Sequence, residues 1–267
     1  MKKNTQKQDN APQKEFATPK QYAICSTIIC VMIFIITGVI LHSFGLPKRP
    51  AMICAAVAAV ILYRAKYPLD PARLIKGFDV TVPVMTFLLN WTLCELCSSL
   101  YGRIASNFSA VEPNHRTELT VPAVLGSVII APLCEELIFR QCSMGLLKKC
   151  SGRLFTILFP TVAFTLMHIF YNPQGLVSIF AGTLAFAVCY YYTENVLYCI
   201  IAHLLHNLLC VPDFSFSYNN VNGYDILKPH MSVIYLVIFA LSMIWLVKVF
   251  LKKYGGQVTA TEKAAAC

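Results

Sequence analysis

The stretch Ala131-Pro-Leu-Cys-Glu-Glu-Leu-Ile-Phe-Arg140 places two carboxylates and a guanidinium inside an apolar run long enough to cross a bilayer. Each charge at the centre of a membrane helix costs roughly 2.5–3.5 kcal/mol, so all three must be paired or face a polar cavity. Helical geometry divides the work among them. Glu136 and Arg140 are four residues apart, so they stack on one face as an ion pair. Glu135 points roughly 140° away from Arg140 and is the carboxylate left free to act on something else. Pro132 has no N–H, so it frees a carbonyl about one turn back and can bend the helix there. The bland alternative is a packing salt bridge beside a snorkelling glutamate, but it leaves two carboxylates to share one arginine.

Two other apolar segments carry histidines at depth. Phe164-Thr-Leu-Met-His168 sets an aromatic ring four residues before an imidazole, and His203-Leu-Leu-His-Asn207 sets an imidazole and an amide one turn apart. His206 lies near that same face. A single histidine in an apolar helix is usually a packing residue. Three helices that each present polar groups are different, because burying those groups without mutual partners is expensive. One water-filled cavity that gathers them is the cheapest arrangement. In such a cavity a carboxylate in apolar surroundings becomes a useful general base for a water attacking a carbonyl. Imidazoles and an amide can donate to the oxyanion that develops. Glu plus two His is also a ligand set of zinc hydrolases, with Glu135, His168 and His203 as the ligands. No His-Glu-x-x-His spacing is present to pre-form such a site, so a water on Glu135 and a metal-bound water both stay open.

Composition sets the frame. The 267 residues are 57% hydrophobic and only 13% charged, which is outside the range of soluble globular domains. An all-α polytopic membrane protein is expected, with about eight transmembrane helices in one bundle around an intramembrane polar cavity. The net charge of +9 does not signal nucleic-acid binding, because the Lys and Arg sit in short loops and tails where they set topology. The twelve cysteines are scattered through apolar runs and read as small hydrophobes rather than a disulfide framework. Cys94-x-x-Cys97 lies within a span and reads the same way.

Residues 1–20 form a polar tail expected to be disordered, 21–250 a single transmembrane domain, and 251–267 a polar C-terminal tail. The expected spans are Tyr22–Phe44, Ala51–Tyr63, Phe78–Leu100, Leu119–Leu147, Leu154–Phe170, Leu176–Tyr192, Val196–Cys210 and Met231–Phe250. The second is short for a full crossing. The third carries Asn90 and Glu95, which can line a cavity or contact neighbours. Tyr101–Glu118 is a polar connection with Pro113, and Asn172-Pro-Gln-Gly175 is expected as a tight turn. Val211–Pro229 is a loop whose Phe214, Phe216, Tyr218 and Tyr224 suit the membrane interface. Lys and Arg gather in the N-terminal tail, Arg64–Lys76, Lys148–Arg153 and the C-terminal tail, which puts both termini in the cytoplasm. His168 then falls near the outer end of its span, while Glu135 is nearer mid-depth.

Glu135-Glu136-x-x-x-Arg140, Phe164-x-x-x-His168 and His203-x-x-x-Asn207, in this order on successive hydrophobic segments, resemble the three motifs of the type II CAAX prenyl protease family. That family is also called CPBP or Abi and includes lysostaphin-resistance-protein-like members. The resemblance covers residues 119–210. It implies an eight-helix bundle with a conical cavity and glutamate-dependent intramembrane endopeptidase activity, for which a metal mechanism such as zinc has also been considered. By resemblance Glu135 is the catalytic glutamate, Glu136 and Arg140 support it, and His168, His203 and Asn207 complete the site. The implied partners are a membrane-associated, prenylated or otherwise lipophilic peptide and the lipid bilayer. The short loops and Lys-rich tail suit a bacterial cell membrane. Two other readings compete: a non-catalytic immunity or regulatory protein that binds a peptide in the same cavity, and a transporter relaying protons through its buried Glu and His.

Overall fold

Long apolar runs with few charges can satisfy their backbone in lipid only as helices, and helices account for most of the described residues. The computed structural model describes residues 18–47, 49–108, 120–211 and 217–254. Helix α1 spans Pro19–Ser43 and starts on a capping box in which Thr18 and Gln21 exchange side-chain and backbone bonds. Next come α2 (Arg49–Arg64), a short α3 (Pro71–Ile75) and α4 (Thr81–Ala105). The charged motif lies on α5, Val121–Leu147. Then follow α6 (Arg153–Leu166), α7 (Pro173–Thr193), α8 (Val196–Cys210) and α9 (Pro229–Val249).

Each expected span has a helix at its place. Among the described residues four helical stretches are long and apolar enough to cross a membrane: α1, α5, α7 and α9 with its continuation to Lys253. α6 and α8 are shorter apolar helices. α4 is as long as α1 but more polar. The protein is therefore an all-α polytopic membrane protein.

Several boundaries differ from expectation. α1 begins at Pro19, so residues 18–20 of the expected tail are ordered by the capping box, and the rest of that tail lies outside the described residues. Most of the C-terminal tail, Pro113 and its flanks, Phe214 and Phe216 also lie outside them. Asn172-Pro-Gln-Gly175 is not a free-standing turn but the start of α7. Asn172 Oδ1 accepts from Gly175 N at 2.8 Å, and Pro173 needs no partner in the first turn. The expected loop before α9 contains a two-stranded antiparallel hairpin, β1 (Tyr218–Val221) and β2 (Tyr224–Leu227). Its turn is Asn222-Gly223, both with positive φ, the pairing that two-residue hairpins favour.

The bundle has two apolar centres. α1, α2, α5 and α6 meet around Ala23, Cys30, Ala55, Ala59, Phe139 and Leu147. Buried alanines along α2 let it approach α1 and α5 closely. α4, α7, α8 and α9 meet around Phe87, Leu89, Phe186, Tyr190, Ala202 and Leu246. α7 packs closely on α4 because residue 182 is glycine: a Cβ there would come within 2.2 Å of Cys94 Sγ and 2.6 Å of Asn90 Nδ2. The hairpin is tied to the same pair. Gln174 Nε2 donates to Ser98 O and Asp225 O, and Arg103 donates to Leu227 O at 2.6 Å.

Candidate active site

α5 is not a uniform helix. Two π-helical segments, Gly126–Ile130 and Leu137–Met144, flank the α-helical turn Ala131–Glu136 that carries both glutamates. Such wide turns are rare and gather at functional sites. The first has a local cause. Ala131 N–H donates to Gly126 O in the π register. The next donor in that register would be residue 132, a proline with no N–H. Its acceptor, Ser127 O, is taken instead by Asn207 Nδ2 from α8 at 2.8 Å.

Glu136 and Arg140 form the expected ion pair at 3.1 Å, with side chains 0% and 1% exposed. Arg140 also donates to Thr183 O and Thr183 Oγ1 on α7, at 3.0 and 2.6 Å. Its guanidinium lies 5.2 Å and 5.6 Å from the ring centres of Phe164 and Phe186, so cation–π attraction adds to its pairing. The pair is thus a fixed strut between α5 and α7.

Glu135 points elsewhere, as the helical geometry requires. Its Oε2 is 3.7 Å from His203 Nε2, and its side chain is 13% exposed. His203 reaches both glutamates, since its Nδ1 lies 2.9 Å from Glu136 Oε1. A carboxylate oxygen paired with Arg140 accepts, so Nδ1 carries the hydrogen and donates, which turns Nε2 toward Glu135. Phe186 stacks on the His203 ring at 5.1 Å.

His168 does not sit on a helix. α6 ends at Leu166, and the chain tightens so that His168 N donates to Thr165 O rather than one residue further back. The motif spacing still operates. His168 Nδ1 donates to the Phe164 carbonyl at 2.9 Å, and the two rings stack at 4.8 Å. A carbonyl only accepts, so Nδ1 holds the hydrogen and Nε2 keeps its lone pair.

These groups line one cavity of about 490 Å³, bordered by Glu135, His168, His203, His206 and Asn207 and also by Asn90, Cys94, Tyr171 and Thr183. Glu136 and Arg140 stand behind its wall. A second cavity of about 210 Å³, lined mainly by apolar residues of α1, α2 and α5, shares Glu135 and His168 with the first. The six residues singled out from sequence are thus brought together. Thr183, Ser127 and Phe186 had no signal of their own, because a hydroxyl, a carbonyl and a ring in apolar helices are ordinary. His206 borders the cavity, with Nδ1 unpartnered among the described residues and Nε2 3.6 Å from Cys210 Sγ.

Glu135, His168 and His203 do not fit a metal centre as placed. Among the described residues no group of three or more His, Cys, Asp or Glu is gathered closely enough to hold an ion. His203 spends one nitrogen on Glu136 and aims the other at Glu135.

A polytopic helical membrane protein with a carboxylate, imidazoles and an amide around one buried chamber is the class that fold and site define. Residues 117–209, which hold all six of these side chains, match the family described as "Type II CAAX prenyl endopeptidase Rce1-like". CAAX prenyl protease 2 of Arabidopsis thaliana is 30% identical over 104 residues, which is 39% of this chain and 33% of that protein. The chain thus spans one third of that relative's length. No solved structure matches it. The similarity to that family lies over the central helices of the chain.

Proposed function

We propose that the protein is an intramembrane endopeptidase in which Glu135 is the general base. The observation that carries this reading is the division of labour between adjacent glutamates. Glu136 is neutralised by Arg140, while among the described residues no Lys or Arg pairs with Glu135, which borders the cavity with His168 and His203. A water between Glu135 and the free Nε2 of His168 gives up a proton to the carboxylate as its oxygen attacks the scissile carbonyl. The oxyanion is met by the second N–H of the Asn207 amide, whose first is spent on Ser127, while His203 Nε2, which bears no hydrogen as Nδ1 donates to Glu136, faces the Glu135 carboxyl and accepts from it once it holds the water's proton. Collapse of the tetrahedral intermediate breaks the C–N bond, and the leaving amine takes the proton held by Glu135. No step is routed through a metal.

The relative named for prenylated substrates supports a peptide carrying a lipidic group, with the polar cavity taking the peptide and the apolar one beside it taking the lipid. Basic residues at Arg64–Lys76 and Lys148–Arg153 favour a cytoplasmic location for those ends, and the short connections favour a bacterial membrane. Glu135→Gln tests the reading. Purified protein in liposomes should cleave a quenched-fluorophore peptide bearing a farnesylated cysteine, and the variant should not. Cleavage by Glu135→Gln at the wild-type rate would remove Glu135 from the mechanism.

A further inference from the structure

Asn90, midway along α4, belongs to none of the three motifs. Its residue is 2% exposed, it borders the large cavity, and its Oδ1 has no hydrogen-bond partner among the described residues. Other buried polar groups of α4 are used within the protein. Thr92 donates to Leu88 O, Cys94 donates to Ser178 O, and Ser99 accepts from Leu227 N. Among the described residues Thr86 also lacks a hydroxyl partner, but it does not border the cavity. A buried amide oxygen left bare is a standing cost, which a leucine of similar size would avoid. The fold nevertheless makes room for it, because Gly182 leaves a gap on α7 into which this side chain and Cys94 fit.

A peptide entering a cavity inside a membrane has the complementary need. Each of its main-chain N–H and C=O groups loses water and must find a protein partner. A carboxamide offers both an acceptor and donors, as the peptide group itself does. Glu135, His168, His203 and Asn207 are committed to the scissile bond, so they leave the flanking amides unmatched. We infer that Asn90 binds the substrate main chain, its Oδ1 accepting from one backbone N–H next to the scissile bond. This rests on the endopeptidase reading above. Asn90 is then a substrate-binding residue that sets which peptide bond faces Glu135.

The test uses the full chain in liposomes, the farnesylated fluorogenic peptide, and a set of the same peptide N-methylated at one amide at a time. Asn90→Leu should raise KM about tenfold with kcat changed less than threefold, the loss of one hydrogen bond. Its thermal midpoint should be equal to or above that of the wild type. One N-methylated peptide should bind wild type about tenfold more weakly than its parent, and that penalty should vanish in Asn90→Leu. Binding is read by fluorescence anisotropy in the Glu135→Gln background, so it does not depend on turnover. If Asn90→Leu fails to fold, Asn90→Ala takes its place. Unchanged KM, or N-methyl penalties identical with and without Asn90, would show a packing residue and overturn the inference. Cleavage by Glu135→Gln would instead overturn the endopeptidase reading itself.

Discussion

Two acidic centres in this protein use the same residue types to opposite ends. Behind the chamber wall, Glu136 and Arg140 are fully enclosed, and His203 links them to Glu135. At the end of the bundle, Glu194, in a left-handed conformation after α7, faces Lys148 at 2.8 Å, Arg73 at 3.4 Å and Lys149 at 3.6 Å. There one carboxylate is shared by three cations, so it is over-neutralised. In the chamber two carboxylates share one arginine, so a carboxylate is left over. The surplus of cation fixes α3, α5 and α7 together at their ends, whereas the surplus carboxylate is left facing the cavity. Burial alone would raise the Glu194 carboxyl, but the hydrogen bond from Lys148 and the charges of Lys148, Lys149 and Arg73 outweigh it and hold it below the ordinary carboxylate value.

That contrast can be broken in four places. Glu135→Gln removes only the left-over carboxylate, so peptide cleavage should fall at least about a hundredfold while the thermal midpoint stays put. Arg140→Leu strands Glu136 inside the bundle. Stability should drop by about 3–5 kcal/mol, read as lost yield and a lower melting point in detergent, with activity lost as a consequence. Glu194→Gln should destabilise by roughly 1 kcal/mol at pH 7 without changing the rate of cleavage per folded molecule. Its pH dependence has a definite sign. A carboxyl lowered in the folded state contributes fully above its unfolded pKa, about 4.3, and loses that contribution as pH falls through the lower folded value. Melting curves of wild type and Glu194→Gln should therefore converge in strong acid and separate above it. Arg73 is mostly exposed, so Arg73→Gln should shift stability by less than about 0.5 kcal/mol, an effect that added salt should erase.

Periodicity and charge cost made the helices and the Glu136–Arg140 pair legible in the sequence. An i,i+4 pair is a local fact, and local facts survive folding. The free orientation of Glu135 was legible for the same reason. The apolar run predicts a helix through His168, but the helix ends at Leu166 as the chain turns to reach Asn172 and Pro173, and the bond to the Phe164 carbonyl preserves the spacing. The hairpin was missed although Asn222-Gly223 announces a tight turn, because its strands are four residues each and too short to show alternation. Thr183 and Ser127 could not be read at all, since their roles depend on which helices become neighbours. Asn90 stands out in the sequence as a polar residue in a span, but its oxygen, unpaired among the described residues, exists only in three dimensions.

The bond from Asn207 to Ser127 exists because a proline cannot compete for that oxygen. Replacing Pro132 with alanine would hand α5 its missing donor, heal the helix and cut α8 loose from it. The change would read as harmless by helix propensity, yet it would unhitch the amide that steadies the chamber three residues from Glu135. Local regularity and assembly of the site are thus in opposition at this position, and the chain gives up the first to secure the second.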